Sequence, residues 1–598
     1  MRASTYFARS RTLTEKSISH AEGWAVLAFC MAASAVAIVL SWRHGAMINY
    51  GDAIAHLHIA RRVFDSRTPR FSQLGSVWLP LPHILLLPFV QNYSWWATGV
   101  AGVVPSALAY LASCAGVYRL ARNWLRPAPA ALALVFFALN PNLLYLQTTA
   151  MTEPLFLCEF IWIVVWLVEW RTALDEETAA AGSNPHSAPS APRSSIARTT
   201  RLQIFIAIAL VAAIFTRYDG WIIALIAWSG VAFTLLHRAA AGDRARLAAP
   251  AFWLATIAIV AAPLLWFVYN SVCFGDWLYF ARGPYSAHAI ELRTAANAPG
   301  WPPHPGWHNP LVALLFYLKV SELDSVAAPG WGNLWGNLVL GLAVLGTARA
   351  WLVEKTRRRA IAWTPLLWLP VPFYTWSVAY GSVPIFFPAW WPFTWYNTRY
   401  GLELLPALAL GLGFAAQYCQ VIFGIRLRRP STLSSRRARF MVQFLPRLSF
   451  LLVFFLAALN VFALLRAGPI VYVESTKNAH ARQPYDNSIP PALHSLLILD
   501  PHAAVLMNTS IYPEIVASTG IPLRQTINES DLGIYRSALD DPAAHAAIVV
   551  AFDGDAIDTA VKAHRADFTL IAGFTAQNQP SAAIYASTNW LHRAPDFY

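Results

Sequence analysis

Long apolar runs separated by short polar segments dominate the chain from about residue 24 to residue 470. A helix needs roughly 20 apolar residues to cross the hydrocarbon core of a bilayer. Runs of this kind predict about eleven membrane-spanning helices, at residues 24–42, 98–118, 129–146, 153–170, 202–216, 220–236, 249–269, 331–351, 361–380, 400–424 and 447–466. Residues 129–170 also fit a hairpin of short helices.

A different pattern begins at about residue 478, where the chain turns polar and short apolar runs alternate with helical stretches. This alternation is typical of a small α/β domain over residues 478–598. The predicted strands are Ala503–Asn508, Ala547–Phe552 and Phe568–Ala572, and a predicted helix is Asp555–His564. The predicted fold is therefore an all-α polytopic membrane protein, at 24–470, with a small C-terminal α/β domain.

The composition supports this division, because only 13% of the residues are charged while 57% are hydrophobic. A soluble chain would carry about a quarter charged residues. The formal net charge of +13 suggests nucleic acid at first sight. However, the arginines and lysines lie in short segments between apolar runs, and no basic domain with interleaved aromatics exists, which excludes a nucleic-acid partner. The five cysteines lie in or beside apolar runs, without metal-type spacing.

Basic residues occur in every second segment between the predicted spans. Loops rich in Lys and Arg remain in the cytoplasm, so these segments are predicted to be cytoplasmic. They include the N-terminal tail 1–23 and a loop at 172–200, whose Ala, Ser and Pro content predicts disorder. The alternate loops, among them the first external loop 43–97, and the C-terminal domain would then lie outside the cytoplasm.

The first external loop carries an acid and a histidine, Asp52 and His56, four residues apart. Residues at this spacing lie on one face of a helix. A carboxylate close to hydrocarbon is costly without a partner, which favours a functional role for Asp52. The alternative is an acid that only caps a helix. His83 is a second histidine in the same loop.

A second acid, Glu153, follows Thr152 and precedes Pro154 in a turn on the same predicted side. An acid and a proline both suit the first turn of a helix, which gives Glu153 a structural explanation. The functional alternative is that this turn brings a second carboxylate towards Asp52. The sequence leaves both open.

Two more charged segments of the external side contain Arg217-Tyr218 and Arg399-Tyr400. The planar guanidinium fork matches phosphate oxygens, so these residues are candidates for binding a phosphate group. Local ion pairs, Arg217 with Asp219 and Arg399 with Glu403, are the structural alternative.

Taken together, these motifs resemble those of the GT-C superfamily of membrane glycosyltransferases, especially bacterial relatives of protein O-mannosyltransferases and lipid A aminoarabinose transferases. The resemblance covers about residues 50–420 and rests on these segments in this order: Gly51-Asp52 with His56, Trp78–His83, Thr152–Phe156, Arg217–Gly220 and Arg399-Tyr400. It departs at Gly51-Asp52, where several relatives carry adjacent acids, and at Leu79–Pro82, where others carry a Lys-Pro-Pro type segment.

The resemblance implies an enzyme of the bacterial inner membrane that transfers a sugar from a polyprenyl-phosphate donor to a lipid, polysaccharide or protein acceptor. Asp52 would act as the base or as an acid of a metal site, and Arg217 or Arg399 would stabilise the leaving phosphate. His56, His83 or Glu153 would hold a divalent metal ion, if the enzyme uses one. A transporter or flippase of a lipid-linked solute is the alternative, but such proteins usually show internal repeats.

Overall fold

The computed structural model describes residues 18–182, 193–241, 243, 246–294, 303–326, 331–354, 359–427, 451, 455, 458–510, 512–577 and 579–593.

Seven helices within these residues are long and apolar enough to cross a membrane. They are His20–Arg43, Val100–Arg122, Ala197–Thr216, Asp219–Ala240, Pro250–Phe274, Leu334–Val353 and Thr398–Cys419. Each coincides with a predicted span. The prediction of a helical, polytopic membrane protein is therefore confirmed, although the count of about eleven is not.

The other predicted spans take different forms. Residues 129–146 form two short helices, Pro127–Ala138 and Pro141–Leu146, because Asn140 ends the first and caps the second by accepting hydrogen bonds from two backbone N–H groups. Residues 361–380 form a 3-10 helix, Arg359–Trp368, followed by the α-helix Pro370–Tyr380. The run at 447–466 lies largely outside the described residues.

The predicted span at 153–170 belongs to a longer helix, Glu153–Gly182, and the next helix begins at Arg193. The prediction of a disordered loop over 172–200 is therefore wrong for residues 172–182 and 193–200. The alanines and glutamates of the first of these segments are good helix formers, which explains why the helix continues. Residues 183–192 lie outside the described part of the chain.

Shorter helices join these long ones. They include Gly51–Arg62, Pro80–Leu86, Tyr93–Thr98, Tyr279–Arg282, Ala287–Thr294, Pro310–Ser325, Ile470–Asp486, Ile489–Leu499, Glu514–Thr519, Leu532–Asp540, Pro542–His545, Ala556–Ala563 and Thr588–Leu591. Short 3-10 helices occur at Ala46–Ile48 and Phe71–Leu74. A third, Thr398–Leu404, forms the first part of the long helix Thr398–Cys419 and continues into the α-helix Leu405–Leu427.

The chain divides into two compact units. The first, the helical unit, comprises residues 1–37, 107–147 and 152–472, and the second, the sheet unit, comprises 38–106, 148–151 and 473–598. In the helical unit, the helices Trp331–Glu354 and Leu405–Leu427 touch through their backbones. A Cβ atom on Gly346 would lie only 2.1 Å from the carbonyl oxygen of Gly411, so only glycine permits this approach. Small residues serve the same purpose at many helix contacts in membranes.

A five-stranded mixed sheet forms the centre of the sheet unit. Its strands are β1 (Val505–Met507), β2 (Thr526–Ile527), β3 (Ile548–Phe552), β4 (Phe568–Phe574) and β5 (Ala582–Ser587), in the order β2-β1-β3-β5-β4. Strands β2, β1 and β3 are parallel, whereas β5 is antiparallel to both of its neighbours. The predicted C-terminal α/β domain is confirmed, and β2 and β5 are the strands that the sequence pattern missed.

The segment after the first long helix, residues 43–97, packs on this sheet. Arg67 Nε and Nη2 donate hydrogen bonds to the carbonyl oxygens of Thr526 and Gln525, at 3.0 and 3.3 Å. Gln73 donates to the carbonyl oxygen of Ser530 at 3.3 Å. Since β2 is an edge strand, the bond to Thr526 satisfies a backbone group at the unpaired side of the sheet, and the other two bonds reach the segments on either side of β2. The residues around Asp52 thus belong to the same unit as the C-terminal domain.

Candidate active site

Asp52 lies in the first turn of the helix Gly51–Arg62 and is half-buried. The first N–H groups of a helix have no partner within it, and the helix dipole favours a negative charge at this end. The N-cap residue is Tyr50, whose side chain makes no capping hydrogen bond. Asp52 therefore occupies a favourable position for a carboxylate without being the N-cap of this helix.

His56 and His83 come together, as the sequence allowed. His56 Nδ1 and His83 Nε2 are 2.8 Å apart, and both residues are buried. The ring of His56 also lies 4.5 Å from that of Trp78, between the centroids. Burial, with smaller contributions from His56 and Arg62, lowers the pKa of His83 well below its usual value. One neutral ring therefore donates its N–H to the other.

His58, on the same helix, takes no part in this pair. Its ring packs against Trp96 with 5.0 Å between centroids. Burial, and then Arg62 and Arg61, lower the pKa of His58 to about 3, so it is neutral at physiological pH. His58 is a buried packing residue of the sheet unit.

The three residues proposed as metal ligands do not form a metal site in this structure. Two imidazole nitrogens bound to one zinc ion at about 2.0 Å, in tetrahedral geometry, would be about 3.3 Å apart, whereas the 2.8 Å between His56 and His83 is a hydrogen-bond distance. Glu153 accepts hydrogen bonds from two arginines instead. Among the described residues, no group of three or more His, Cys, Asp or Glu side chains could hold an ion. We therefore derive no chemistry through a metal.

The turn before Asp52 is held by an arginine that the sequence did not single out. Arg482, in the helix Ile470–Asp486, donates hydrogen bonds through Nη1 to the carbonyl oxygen of Asn49 at 3.0 Å and through Nη2 to that of Ile48 at 3.1 Å. Its Nη1 lies 3.7 Å from where a Cβ atom on Gly51 would be. The guanidinium thus fixes the backbone directly before Gly51-Asp52.

Arg482 is itself positioned by an acid, Glu514, whose Oε1 lies 3.1 Å from Arg482 Nε. Both side chains are nearly buried, with 12% and 5% of their surface exposed. Burial raises the pKa of Glu514 to about 8, since it outweighs the opposite effect of Arg482, and Asp486 raises it further. Burial also raises the pKa of Asp486. The raised pKa keeps the Glu514 carboxyl group largely protonated at neutral pH.

The helical unit has a different centre, built around Arg217 in the turn between the helices Arg193–Thr216 and Asp219–Ala240. All three of its nitrogens have partners: Nε lies 3.3 Å from Asp219 Oδ2, Nη1 lies 3.2 Å from Glu153 Oε1 and 3.3 Å from Thr152 Oγ1, and Nη2 lies 3.0 Å from Glu403 Oε1 and 2.7 Å from Tyr374 Oη. We call Arg217, Arg399, Glu153, Asp219, Glu403 and Tyr374 the arginine centre.

Arg399 joins this centre through Glu153, because its Nε donates to Oε1 of that acid at 2.9 Å. The predicted local pair of Arg217 with Asp219 is present, but the partner of Arg399 found here is Glu153 and not Glu403. Both guanidinium carbons lie 5.1 Å from the ring centroid of Tyr400. Arg217, Arg399 and Tyr400, three of the four candidate phosphate-binding residues, therefore meet.

Tyr218 does not join them. Its ring stacks on Phe280 at 5.3 Å and lies 5.6 Å from Trp221, between centroids. Tyr218 thus belongs to an aromatic cluster beside the turn that carries Arg217. Sequence adjacency suggested a shared role with the arginine, but the two side chains leave the turn in different directions.

The arginine centre contains three carboxylates and two guanidiniums, all largely buried. The Tyr374 hydroxyl lies between three of these groups. It accepts a hydrogen bond from Arg217, and its oxygen lies 2.6 Å from Glu403 Oε1 and 3.3 Å from Asp219 Oδ2. Its ring stacks between those of Tyr317 and Tyr400. Tyr374 was missed from the sequence because it lies in an apolar helix, Pro370–Tyr380, where a tyrosine has no distinguishing spacing.

No protein-family model matches the chain, and no curated protein matches it. Among solved structures, the chain is similar to ArnT from Cupriavidus metallidurans bound to undecaprenyl phosphate, with 14% identity and a TM-score of 0.48 over 92% of this chain and 97% of that one. The chain is likewise similar to the apo state of ArnT from Cupriavidus metallidurans, with 14% identity and a TM-score of 0.48 over 95% of this chain and 98% of that one. A third similar structure is the oligosaccharyltransferase of Archaeoglobus fulgidus in complex with Zn and sulfate. Its identity to the chain is 12%, with a TM-score of 0.41 over 94% of this chain and 73% of that one.

The likeness concerns the fold along most of the chain. Identities and TM-scores this low carry no conclusion about the reaction, so the function has to be inferred from the residues themselves.

Proposed function

We propose that this protein is an integral membrane glycosyltransferase that moves a sugar from a polyprenyl-phosphate donor to an acceptor at the external membrane face, with inversion at the anomeric carbon. The acceptor is a lipid, a polysaccharide or a protein. The observation that carries the proposal is the meeting of Glu153, Arg217 and Arg399 at one buried centre. These residues come from three turns that the charge pattern predicts on the external side.

The arginine centre suits a phosphate leaving group. When the bond between sugar and phosphate breaks, negative charge develops on the phosphate oxygens, and a fixed guanidinium in a site of low dielectric stabilises it strongly. Carboxylate and phosphate present oxygens to a guanidinium in similar geometry. The carboxylates that now pair with Arg217 and Arg399 therefore keep both guanidiniums oriented, and a phosphate can replace one of them.

Asp52 is proposed as the base. Its carboxylate takes the proton of an acceptor hydroxyl while the hydroxyl oxygen forms a bond to the anomeric carbon. The bond from that carbon to the phosphate oxygen breaks in the same step, and polyprenyl phosphate leaves with the electron pair. General base catalysis of this kind typically contributes about 10²–10⁴-fold in rate.

Sugar transfer by the purified full-length protein in liposomes tests this proposal. The donors are radiolabelled polyprenyl-phosphate sugars, and the acceptors are membrane, polysaccharide and protein fractions. We expect transfer with the wild type and a loss of about 10²–10⁴-fold in Asp52→Asn at equal expression. Asp553→Asn is the matched control, since this acid is exposed.

Near-normal transfer by Asp52→Asn would overturn the assignment of the base. A wild type that moves the labelled lipid across the bilayer but transfers no sugar would instead support the transporter alternative.

A further inference from the structure

The helical unit also contains a cleft of about 360 Å³, within the size range of small-ligand pockets. Its walls come from the helices Val100–Arg122, Glu153–Gly182 and Arg193–Thr216. None of its lining residues belongs to the arginine centre. The residues that matter below are three arginines, one acid and an aromatic wall: Arg119, Arg198, Arg201, Glu169, Trp166 and Phe205.

One side of the cleft is positively charged. Arg119 binds Glu169 through two hydrogen bonds, of 2.5 and 2.9 Å, yet 49% of its side chain remains exposed. Arg198 forms an exposed ion pair with Glu176, at 3.0 Å. Arg201 is exposed and has no ion-pair partner among the described residues. Three guanidiniums therefore face a single lining carboxylate, and exposed ion pairs exchange partners at little cost.

The other side of the cleft is aromatic. The ring of Trp166 lies 5.2 Å from that of Trp162 and 5.3 Å from that of Phe205, between centroids. Phe205 is 38% exposed, a large share for a side chain of its size. The Arg119 guanidinium lies 5.7 Å from the ring centroid of Trp162, so the charged and aromatic sides are continuous.

The cleft lies at the end of the helix bundle where basic residues are concentrated. Arg119 is in the last turn of its helix, and Arg198 and Arg201 are near the start of theirs. The charge pattern predicts that this end faces the cytoplasm. The cytoplasmic leaflet is rich in anionic lipids, and basic pockets between membrane helices on this side bind their headgroups.

We propose that this cleft binds an anionic phospholipid, with its phosphate among Arg119, Arg198 and Arg201 and the first part of an acyl chain along Trp166 and Phe205. A free phosphate ion would use only the charged side of the cleft, whereas a phospholipid uses both. The site is independent of the proposed glycosyl transfer.

Binding of phosphatidylglycerol to the delipidated full-length protein in neutral detergent tests this site, with the dissociation constant obtained from thermal shifts. The pocket variant is Arg198→Gln with Arg201→Gln. The matched control is Arg126→Gln with Arg349→Gln, which removes the same charge from two exposed arginines outside the cleft. We expect the pocket variant to bind roughly 25-fold more weakly, at about fivefold per arginine, and the control to change less than about twofold.

Two further measurements test the contribution of the aromatic side of the cleft and distinguish a phospholipid from a free phosphate ion. Trp166→Leu should weaken phosphatidylglycerol binding, whereas inorganic phosphate and phosphatidylcholine should not shift the melting temperature of the wild type. Equal losses in the pocket and control variants would overturn the site, since any surface charge would then suffice. Competition by inorganic phosphate as effective as that of the lipid would overturn the choice of ligand.

Discussion

Two nearly buried arginines, Arg217 and Arg482, are each held by several partners, but of different kinds. Arg217 pairs with the side chains of Glu153, Asp219 and Glu403. Arg482 instead holds two backbone carbonyl oxygens directly before Asp52 and pairs with one acid.

The difference decides what each arginine does for the protein. Removal of Arg217 leaves several buried carboxylates without their cation, which is costly in free energy. Removal of Arg482 leaves two neutral carbonyl groups and one acid, Glu514, without this guanidinium. Arg217 is therefore expected to matter for the stability of the helical unit as well as for the proposed phosphate binding, whereas Arg482 is expected to matter mainly for the placement of Asp52.

The largest expected effect is that of Arg217→Ala. Breaking a buried ion pair by removing one partner typically costs about 3–5 kcal/mol, so the melting temperature of the detergent-purified protein should fall sharply. Arg217→Lys should recover part of the loss, since one ammonium can still reach a carboxylate. Arg349→Ala, at an exposed arginine, is the control. An unchanged melting temperature in Arg217→Ala would contradict the structural role of this residue.

Arg482→Ala should act on catalysis more than on stability. A displacement of about 1 Å in a reacting group can cost about 10²-fold in rate, so we expect a fall in kcat of that order with little change in KM for the donor. Arg524→Ala, an arginine of the same unit with 69% exposure, should retain wild-type rates. Enzyme kinetics on the sugar-transfer reaction measures both.

A double variant determines whether Arg482 acts through Asp52. In the Asp52→Asn background, Arg482→Ala should cause no further loss of the residual transfer, because the base is already absent. Additive losses would show instead that Arg482 has a separate role.

A smaller effect is expected for Tyr374→Phe in the arginine centre. The ring and its stacking on Tyr317 and Tyr400 remain, but Glu403 loses a hydroxyl 2.6 Å away. Loss of one hydrogen bond to a charged group costs about 1.5–3 kcal/mol, which thermal melting would detect. Tyr317→Phe is the matched control, since the contact of its hydroxyl to the backbone carbonyl of Tyr400 is long, at 3.5 Å. An equal loss in both variants would assign the effect to the aromatic stack.

Sequence patterns predicted the parts of this protein that depend on local chemistry. Apolar runs indicated the long helices, and the alternation after residue 478 indicated strands β1, β3 and β4. The pairing of Arg217 with Asp219, two residues apart, was also visible. In each case the partners are close in the chain or the signal repeats with a regular period.

Contacts between distant residues could not be predicted in this way. A local pair of Arg399 with Glu403, four residues on, was the structural alternative, but in the structure Arg399 donates a hydrogen bond to Glu153, 246 residues away. Arg482 lies in no recognisable sequence motif. The groups that it binds are the backbone carbonyls of Ile48 and Asn49, and every residue has such a carbonyl group. Backbone acceptors carry no sequence signal, which is why this anchor appears only in the folded chain.

The smallest expected effect concerns pH and Glu514, the acid behind Arg482. Because burial raises its pKa from 4.5 to about 8, its contribution to the stability of the sheet unit is fully present below pH 4.5 and is lost as the pH rises through about 8. Arg482 and Asp486 are the charged groups that face it. Glu514→Gln stays neutral throughout, so the fall in melting temperature between pH 5 and pH 9 should be smaller in this variant than in the wild type. Glu529→Gln, another acid of the same unit, should retain the wild-type slope. Identical slopes in wild type and Glu514→Gln would exclude Glu514 as the source of the pH dependence.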